Sequence, residues 1–309
     1  MVPVFTDERD NMNNSKFTGT GVALITPFQK DGAIDFNALA KLIHFNIDNG
    51  VDYFVVLGTT GESATLSSQE KNDVWKFVAK ISSGKIPLVA GIGGNNTMKI
   101  AEEMKSFSIA GYDAILSVSP YYNKPSQEGI YQHFMMLHDA SPLPIIIYNV
   151  PGRTSSNINA ETTLRLANAS KKFIAIKEAS GNFLQIMQIV KSKPKDFLVI
   201  SGDDLITLPL ISFGVAGVIS VVAQAFPKDF SLMVKAALNR NFEEAGKLHL
   251  KLLDFMYMFF TEGSPAGVKA ALNILGICEN ILRLPLVPVS EELLSKIKSS
   301  MKSSAAHSM

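Results

Sequence analysis

One cysteine, Cys278, stands in 309 residues, so no disulfide can form within the chain. It closes the apolar run Leu275-Gly276-Ile277-Cys278 at the end of a predicted helix, a poor setting for a nucleophile. Charge of one sign is also lacking. Lys and Arg total 29 against 28 Asp and Glu, a net charge of +1, and no basic run stands apart from the helices. This excludes the electrostatic footprint of nucleic-acid binding and leaves an anionic membrane surface without a handle. No stretch approaches the ~20 continuous apolar residues that cross a bilayer; Ala216 to Phe226 comes nearest and is far too short. Residues 1–16 are polar and acidic, without the apolar core of a signal peptide, and read as a flexible tail outside the fold. The expectation is a soluble, cytoplasmic chain whose partner is a small molecule, with no nucleic acid and no membrane.

What the chain has is apolar material, 47% of its residues, arranged in a repeat. Eight short β-rich runs begin at positions 21, 52, 86, 113, 144, 173, 197 and 216, among them GVALIT, DYFVVLG, PIIIYNV and FIAIKEA. They are nearly continuous in apolar residues rather than alternating, as parallel strands covered on both faces require. Between them lie helix-period segments such as 35–50, closed by a glycine. A doubly wound open sheet is the alternative, but it more often has five or six strands. Eight units predict a TIM (β/α)8 barrel over 17–240, followed by a C-terminal helical region over 241–309. Its helices are expected at 241–261, 264–275 and 290–301, with Phe255, Met256, Met258, Phe259 and Phe260 packing between them.

In such a barrel, chemistry sits at the C-terminal ends of the strands. Those positions hold Thr26, Thr59-Thr60-Gly61-Glu62, Tyr121-Tyr122-Asn123, Tyr148-Asn149 with Arg153, Lys177-Glu178, Ser201 with Asp203 and Asp204, and Ser220. His44, His133, His138 and His249 all fall in helical segments and make no H-x-H or H-x-x-x-H pair, so no His-built metal site is expected. Asp203 and Asp204 offer two adjacent carboxylates that face different ways in a strand and read as a helix N-cap. GIGGNN at 91–96 lacks the G-x-G-x-x-G frame, and no Walker sequence or nucleophile elbow is present, so no cofactor is expected.

Lys177 is the unusual residue, because it ends the apolar strand run FIAI. On strand position alone, a lysine snorkelling to solvent competes with a functional one. Desolvation in a barrel mouth disfavours the ammonium form. The neutral amine can then attack a ketone and form a Schiff base that acts as an electron sink. Tyr148, one strand earlier, can carry the proton that such chemistry needs, although a tyrosine there can also simply be packed.

The series GTTGES (58–63), SPYYNKPSQEG (119–129), YNVPGRT (148–154), IKEASGN (176–182) and SGDD (201–204) resembles the dihydrodipicolinate synthase family. That family belongs to the Schiff-base aldolases, which also include N-acetylneuraminate lyase. The likeness runs from about Phe17 to Leu284-Pro285, with every motif in order. It implies that pyruvate forms an imine with Lys177 and that Thr60 holds the pyruvate carboxylate. Thr59, Tyr148 and Tyr122 would form a proton relay, and Arg153 would bind the carboxylate of L-aspartate 4-semialdehyde, a task suited to a guanidinium fork. Gly202 and the carbonyl of Ile219 would shape the surroundings of the lysine. Tyr122 would reach into a neighbouring subunit, which implies a homo-oligomer, a dimer of dimers.

The intact PYYN and GRT segments favour the synthase over N-acetylneuraminate lyase, and keto-deoxy-sugar-acid aldolases share the lysine and tyrosine. A non-catalytic barrel would be expected to have lost Lys177 or Tyr148. A metal-dependent aldolase would need a His/carboxylate cluster. The resemblance also places a lysine-effector site at Ser63, Asn95 and Tyr121. There Lys71 and Lys99 stand where feedback-sensitive members have a histidine and a glutamate. Two extra cations would repel a lysine ligand, so inhibition by lysine is expected to be weak or absent.

Overall fold

The structure is a computed structural model that describes residues 14–108 and 110–306. Eight parallel strands close into one barrel in chain order: β1 (Gly19–Ala23), β2 (Tyr53–Val56), β3 (Leu88–Gly91), β4 (Ala114–Val118), β5 (Ile145–Asn149), β6 (Phe173–Glu178), β7 (Leu198–Ser201) and β8 (Gly217–Ser220). β1 pairs with both β2 and β8, which closes the ring. Seven of the predicted runs contain a whole strand, and the first overlaps one. β1 alone is displaced toward the N-terminus of its run, because the Ile25 N–H leaves the ladder and donates to Gln224 Oε1 at 2.7 Å.

Among the described residues, nine helices accompany the strands: α1 (Phe36–Asp48), α2 (Ser68–Ser82), α3 (Thr97–Ser106), α4 (Gln127–Ala140), α5 (Pro151–Thr154), α6 (Ala160–Ala169), α7 (Phe183–Ser192), α8 (Thr207–Ser212) and α9 (Pro227–Leu238). Three more follow: α10 (Phe242–Thr261), α11 (Ala266–Ile274) and α12 (Glu291–Ala306). Asp35, Ser67, Asn96, Ser126, Asn159, Asn182 and Asn241 each accept a backbone N–H three residues on. Short polar side chains at these positions satisfy amides that the first helical turn leaves unpaired. Among the described residues, no helix is long and apolar enough to cross a membrane.

Residues 14–16, grouped with the tail on sequence grounds, instead form a 3-10 turn with Phe17, and the rest of that tail lies outside the described residues. Phe17 is fully buried and packs edge-on against Tyr53 at 5.6 Å. Burial of this ring under the barrel draws the preceding turn into the fold, and Lys16 Nζ donates to Asp113 Oδ1 at 2.6 Å.

The core has two layers. One fills the barrel with residues such as Val55, Val89, Leu116, Ile146, Ile200 and Ile219, and the other lies between strands and helices. In the Met/Phe stretch of α10, Phe255, Met256 and Phe259 are buried while Phe260 is 39% exposed.

His133 on α4 is buried, its Nδ1 beside Thr97 Oγ1 at 2.9 Å and its Nε2 without a partner. Burial pushes its pKa down from 6.5 to about 4. The unfolded chain takes up this proton near 6.5 and the folded one only near 4, so the stability present above pH 6.5 is lost as pH falls toward 4. Between pH 7 and pH 5 the loss from this group is about 2 kcal/mol. Denaturant unfolding of wild type and His133→Leu at both pH values should show the smaller loss in the variant. Equal losses would reject the assignment.

Candidate active site

Lys177 and Tyr148 are register partners on β6 and β5. Each is 6% exposed, and the lysine Nζ lies 4.5 Å from the centroid of the tyrosine ring. Their meeting depends on a local irregularity. Ile145 pairs with Phe173 but Ile146 pairs with Ala175, so β6 carries one extra residue, Ile174. Side chains alternate along a strand, and a bulge reverses the parity beyond it. Phe173 belongs to the outer core layer, whereas Ile174 and Ala175 both belong to the inner one. Lys177, two residues after Ala175, therefore points into the mouth. Strict alternation from Phe173 would have turned it toward the helices.

Gly202, just after β7, gives the lysine its room. A Cβ there would stand 2.9 Å from Lys177 Cε and 2.7 Å from the Ala179 methyl. Ile219, on β8, is 1% exposed and shares the inner layer with Tyr148.

Thr59 and Thr60 form a 3-10 turn with Gly61 after β2, Thr60 buried and Thr59 exposed. In the closed order β2 stands opposite β6, so this turn lies across the mouth from the strand that carries Lys177. Thr26 Oγ1, in the segment after β1, donates to the Gly61 carbonyl at 2.7 Å and steadies the turn.

Behind the turn lies a buried ion pair of which the GTTGES motif marks only Glu62. Glu62 adopts a left-handed backbone, φ 51°, and its carboxylate is buried against Lys269 of α11. Lys269 Nζ donates to Glu62 Oε1 at 2.5 Å and to the Ile281 carbonyl at 2.8 Å, and it sits over the Phe28 ring. The Arg283 N–H donates to Glu62 Oε2 at 3.0 Å. Burial draws the Lys269 ammonium below its usual range, and the Glu62 charge pulls it back up. The signal was legible: Lys269 is the only charge in the helix AGVKAALNI.

Arg153 lies on α5 and is exposed. Tyr122 is 88% exposed with φ 77°, so it stands out from the surface. The Asn95 amide donates to the Tyr121 carbonyl at 3.4 Å, while Ser63 lies on the turn after β2. Lys71, on α2, pairs with Glu103 of α3 at 3.3 Å. Asp203 caps the turn Asp204–Ile206 by accepting the Leu205 N–H, and Asp204 accepts the N–H groups of Val221 and Val222. Among the described residues, no group of three or more His, Cys, Asp or Glu could hold a metal ion.

A desolvated lysine beside a tyrosine at the mouth of a closed (β/α)8 barrel is the arrangement of a class I aldolase-type lyase. The chain belongs to the dihydrodipicolinate synthetase family, whose sequence profile matches residues 16–304. It is 56% identical over 281 residues to the 4-hydroxy-tetrahydrodipicolinate synthase of Flavobacterium psychrophilum, covering 91% of this chain and 96% of that one. The crystal structure of dihydrodipicolinate synthase from Aquifex aeolicus superposes with a TM-score of 0.90 at 41% identity, covering 93% of this chain and 98% of that one. The enzyme from Acinetobacter baumannii, solved with pyruvate, superposes with a TM-score of 0.90 at 36% identity, covering 93% and 99%.

Proposed function

We propose that this chain condenses pyruvate with L-aspartate 4-semialdehyde to 4-hydroxy-tetrahydrodipicolinate, in lysine and diaminopimelate biosynthesis. The observation that carries the reading is the buried Lys177 amine, 4.5 Å from the Tyr148 ring in the mouth of a barrel of this family. The amine attacks the pyruvate carbonyl and water leaves, forming the imine. Loss of a C3 proton gives the enamine, whose carbon attacks the aldehyde and leaves a hydroxyl. The amino group of the semialdehyde then attacks the imine carbon, closes the ring and frees the lysine. Thr60 holds the pyruvate carboxylate, Thr59, Tyr148 and Tyr122 move protons, and Arg153 takes the carboxylate of the aldehyde substrate. Gly202 and the Ile219 carbonyl bound the lysine.

The working unit in this reading is a dimer of dimers in the cytoplasm. An outward-standing Tyr122 suits a side chain that completes a neighbouring site. Cys278, buried with its thiol pushed up to about 11, suits a reducing compartment that makes no demand on it.

The test is turnover of pyruvate with L-aspartate 4-semialdehyde, run beside N-acetylneuraminate as a cleavage substrate. Condensation without cleavage is expected. Cleavage without condensation would keep the imine and move the enzyme to the lyase branch, leaving Arg153 a structural residue. Lysine should inhibit weakly or not at all, because Lys71 and Lys99 put two cations at Ser63, Asn95 and Tyr121. Glu103 balances Lys71, so Lys99 carries more of that repulsion. Half-loss of activity at submillimolar lysine would reject this expectation.

A further inference from the structure

Immediately beyond the Tyr148–Lys177 pair, the same two strands make one more register pair, Asn149 with Glu178. Alternation turns these two side chains away from the mouth, toward the helices. Both are fully buried. Asn149 Nδ2 lies 3.1 Å from each Glu178 oxygen, Gln185 Nε2 of α7 donates to Oε2 at 3.0 Å, and the Ser180 N–H donates to Oε1 at 2.8 Å.

The direction of every bond is set from the backbone. The Ile158 N–H donates to Asn149 Oδ1 at 2.9 Å, so the Asn149 NH2 must face Glu178. Gln185 Nε2 also donates to the Ile158 carbonyl at 3.1 Å, and Gln185 Oε1 accepts from Asn157, so that amide is oriented as well. Glu178 thus meets N–H donors on both oxygens, a surrounding matched to a carboxylate, which only accepts. Desolvation pushes the Glu178 pKa up and these donors oppose it. A glutamine at this position would turn an NH2 against a donor whichever way it lay.

We propose that Glu178 and Asn149 are positioning residues for the imine chemistry: their side-chain bond on the outer face locks β5 to β6 so that Lys177 and Tyr148 stay facing each other in the mouth. The bulge at Ile174 makes such a lock necessary, because an extra residue loosens the ladder three residues before Lys177. A misplacement of about 1 Å at a reacting group costs on the order of 10²-fold in rate.

The inference rests on the Lys177 reading, and one experiment separates the two. Imine formation from pyruvate is followed by borohydride trapping and mass spectrometry, at a temperature where each variant's circular dichroism and melting show it folded. Wild type left unlabelled at Lys177 would reject the imine reading itself. With wild type labelled, Glu178→Gln and Asn149→Asp are each expected to slow trapping by roughly 10- to 100-fold. The double exchange Asn149→Asp with Glu178→Gln keeps one acid and one amide at the pair. The carboxylate introduced in place of Asn149 still accepts from the Ile158 N–H and can accept from the new amide at 178, whereas Gln185, held by the Ile158 carbonyl, still meets that amide donor to donor. The double variant restores the bond between the two positions but not the one to Gln185, so it is expected to trap several-fold faster than the product of the two single losses predicts, a coupling that independent sites would not show. Single variants that trap at the wild-type rate overturn the proposal, as does a double variant that merely multiplies the two losses. Gln185→Leu, which removes one donor from the far side of Glu178, serves if a single variant fails to fold. It should slow trapping several-fold, and an unchanged rate overturns the proposal.

Discussion

Replacing Lys177 with alanine should reduce condensation by about 10³-fold or more while the barrel stays folded. Loss of a covalent nucleophile removes the whole stepwise route and leaves only binding and residual electrostatics. The fold should survive because Lys177 contributes a long side chain at the mouth, over the Tyr148 ring, whereas the inner layer below it is apolar. The melting temperature should move by only a few degrees, the change expected for about 1 kcal/mol in a chain of this size. Steady-state turnover and borohydride trapping check both halves. Retained turnover would refute the imine mechanism, and labelling at a different lysine would move the nucleophile.

The second large effect falls far from Lys177 in sequence. Lys269→Met should destabilise the protein by about 3–5 kcal/mol, because it leaves the Glu62 carboxylate buried beside an apolar side chain. Both side chains of this pair are fully buried, so water cannot make up the loss without opening the structure. The melting temperature should fall by roughly 10 °C. Pairing Lys269→Met with Glu62→Gln removes the stranded charge and should recover most of the loss, since a neutral pair of similar volume is often no worse than the ionic one. Glu62 directly follows the Thr59–Gly61 turn, so the single variant should also raise the KM for pyruvate if Thr60 holds its carboxylate. Unchanged melting in Lys269→Met would show that the buried pair carries little of the stability. A single variant and a double variant equally unstable would show that packing, and not charge, sets the cost.

Lys177 and Lys269 differ in how far the local sequence marks them. Lys177 stood out because a charged residue ended an apolar run, and its partner Tyr148 lay one strand earlier at the matching strand end. Lys269 carried the same local signal within an apolar helix but had no motif around it, and its partner lies 207 residues away. Arg283 was equally silent, although its guanidinium bonds to the Gly32 carbonyl and to Glu70 and ties the segment after α11 to the turns above β1 and β2. In sequence, Glu178 and Asn149 stand only as neighbours of the reactive pair. Their bond depends on two strands lying side by side, which neither segment encodes alone.

By itself the sequence determined the number of strands, their parallel covered character, the ends at which chemistry gathers, and the motif series that marks the family. These follow from local periodicity and from residues close together in the chain. Only the tertiary structure decided which way Lys177 points. Strand alternation has a period of two, so the single extra residue at Ile174 reverses every side chain beyond it, and a bulge leaves no clear trace in an unbroken apolar run. Closure of the barrel decided the rest. It set β2 opposite β6 and brought the C-terminal helix α11 against the turn after β2, because burying a lysine requires a carboxylate wherever the folded chain can supply one.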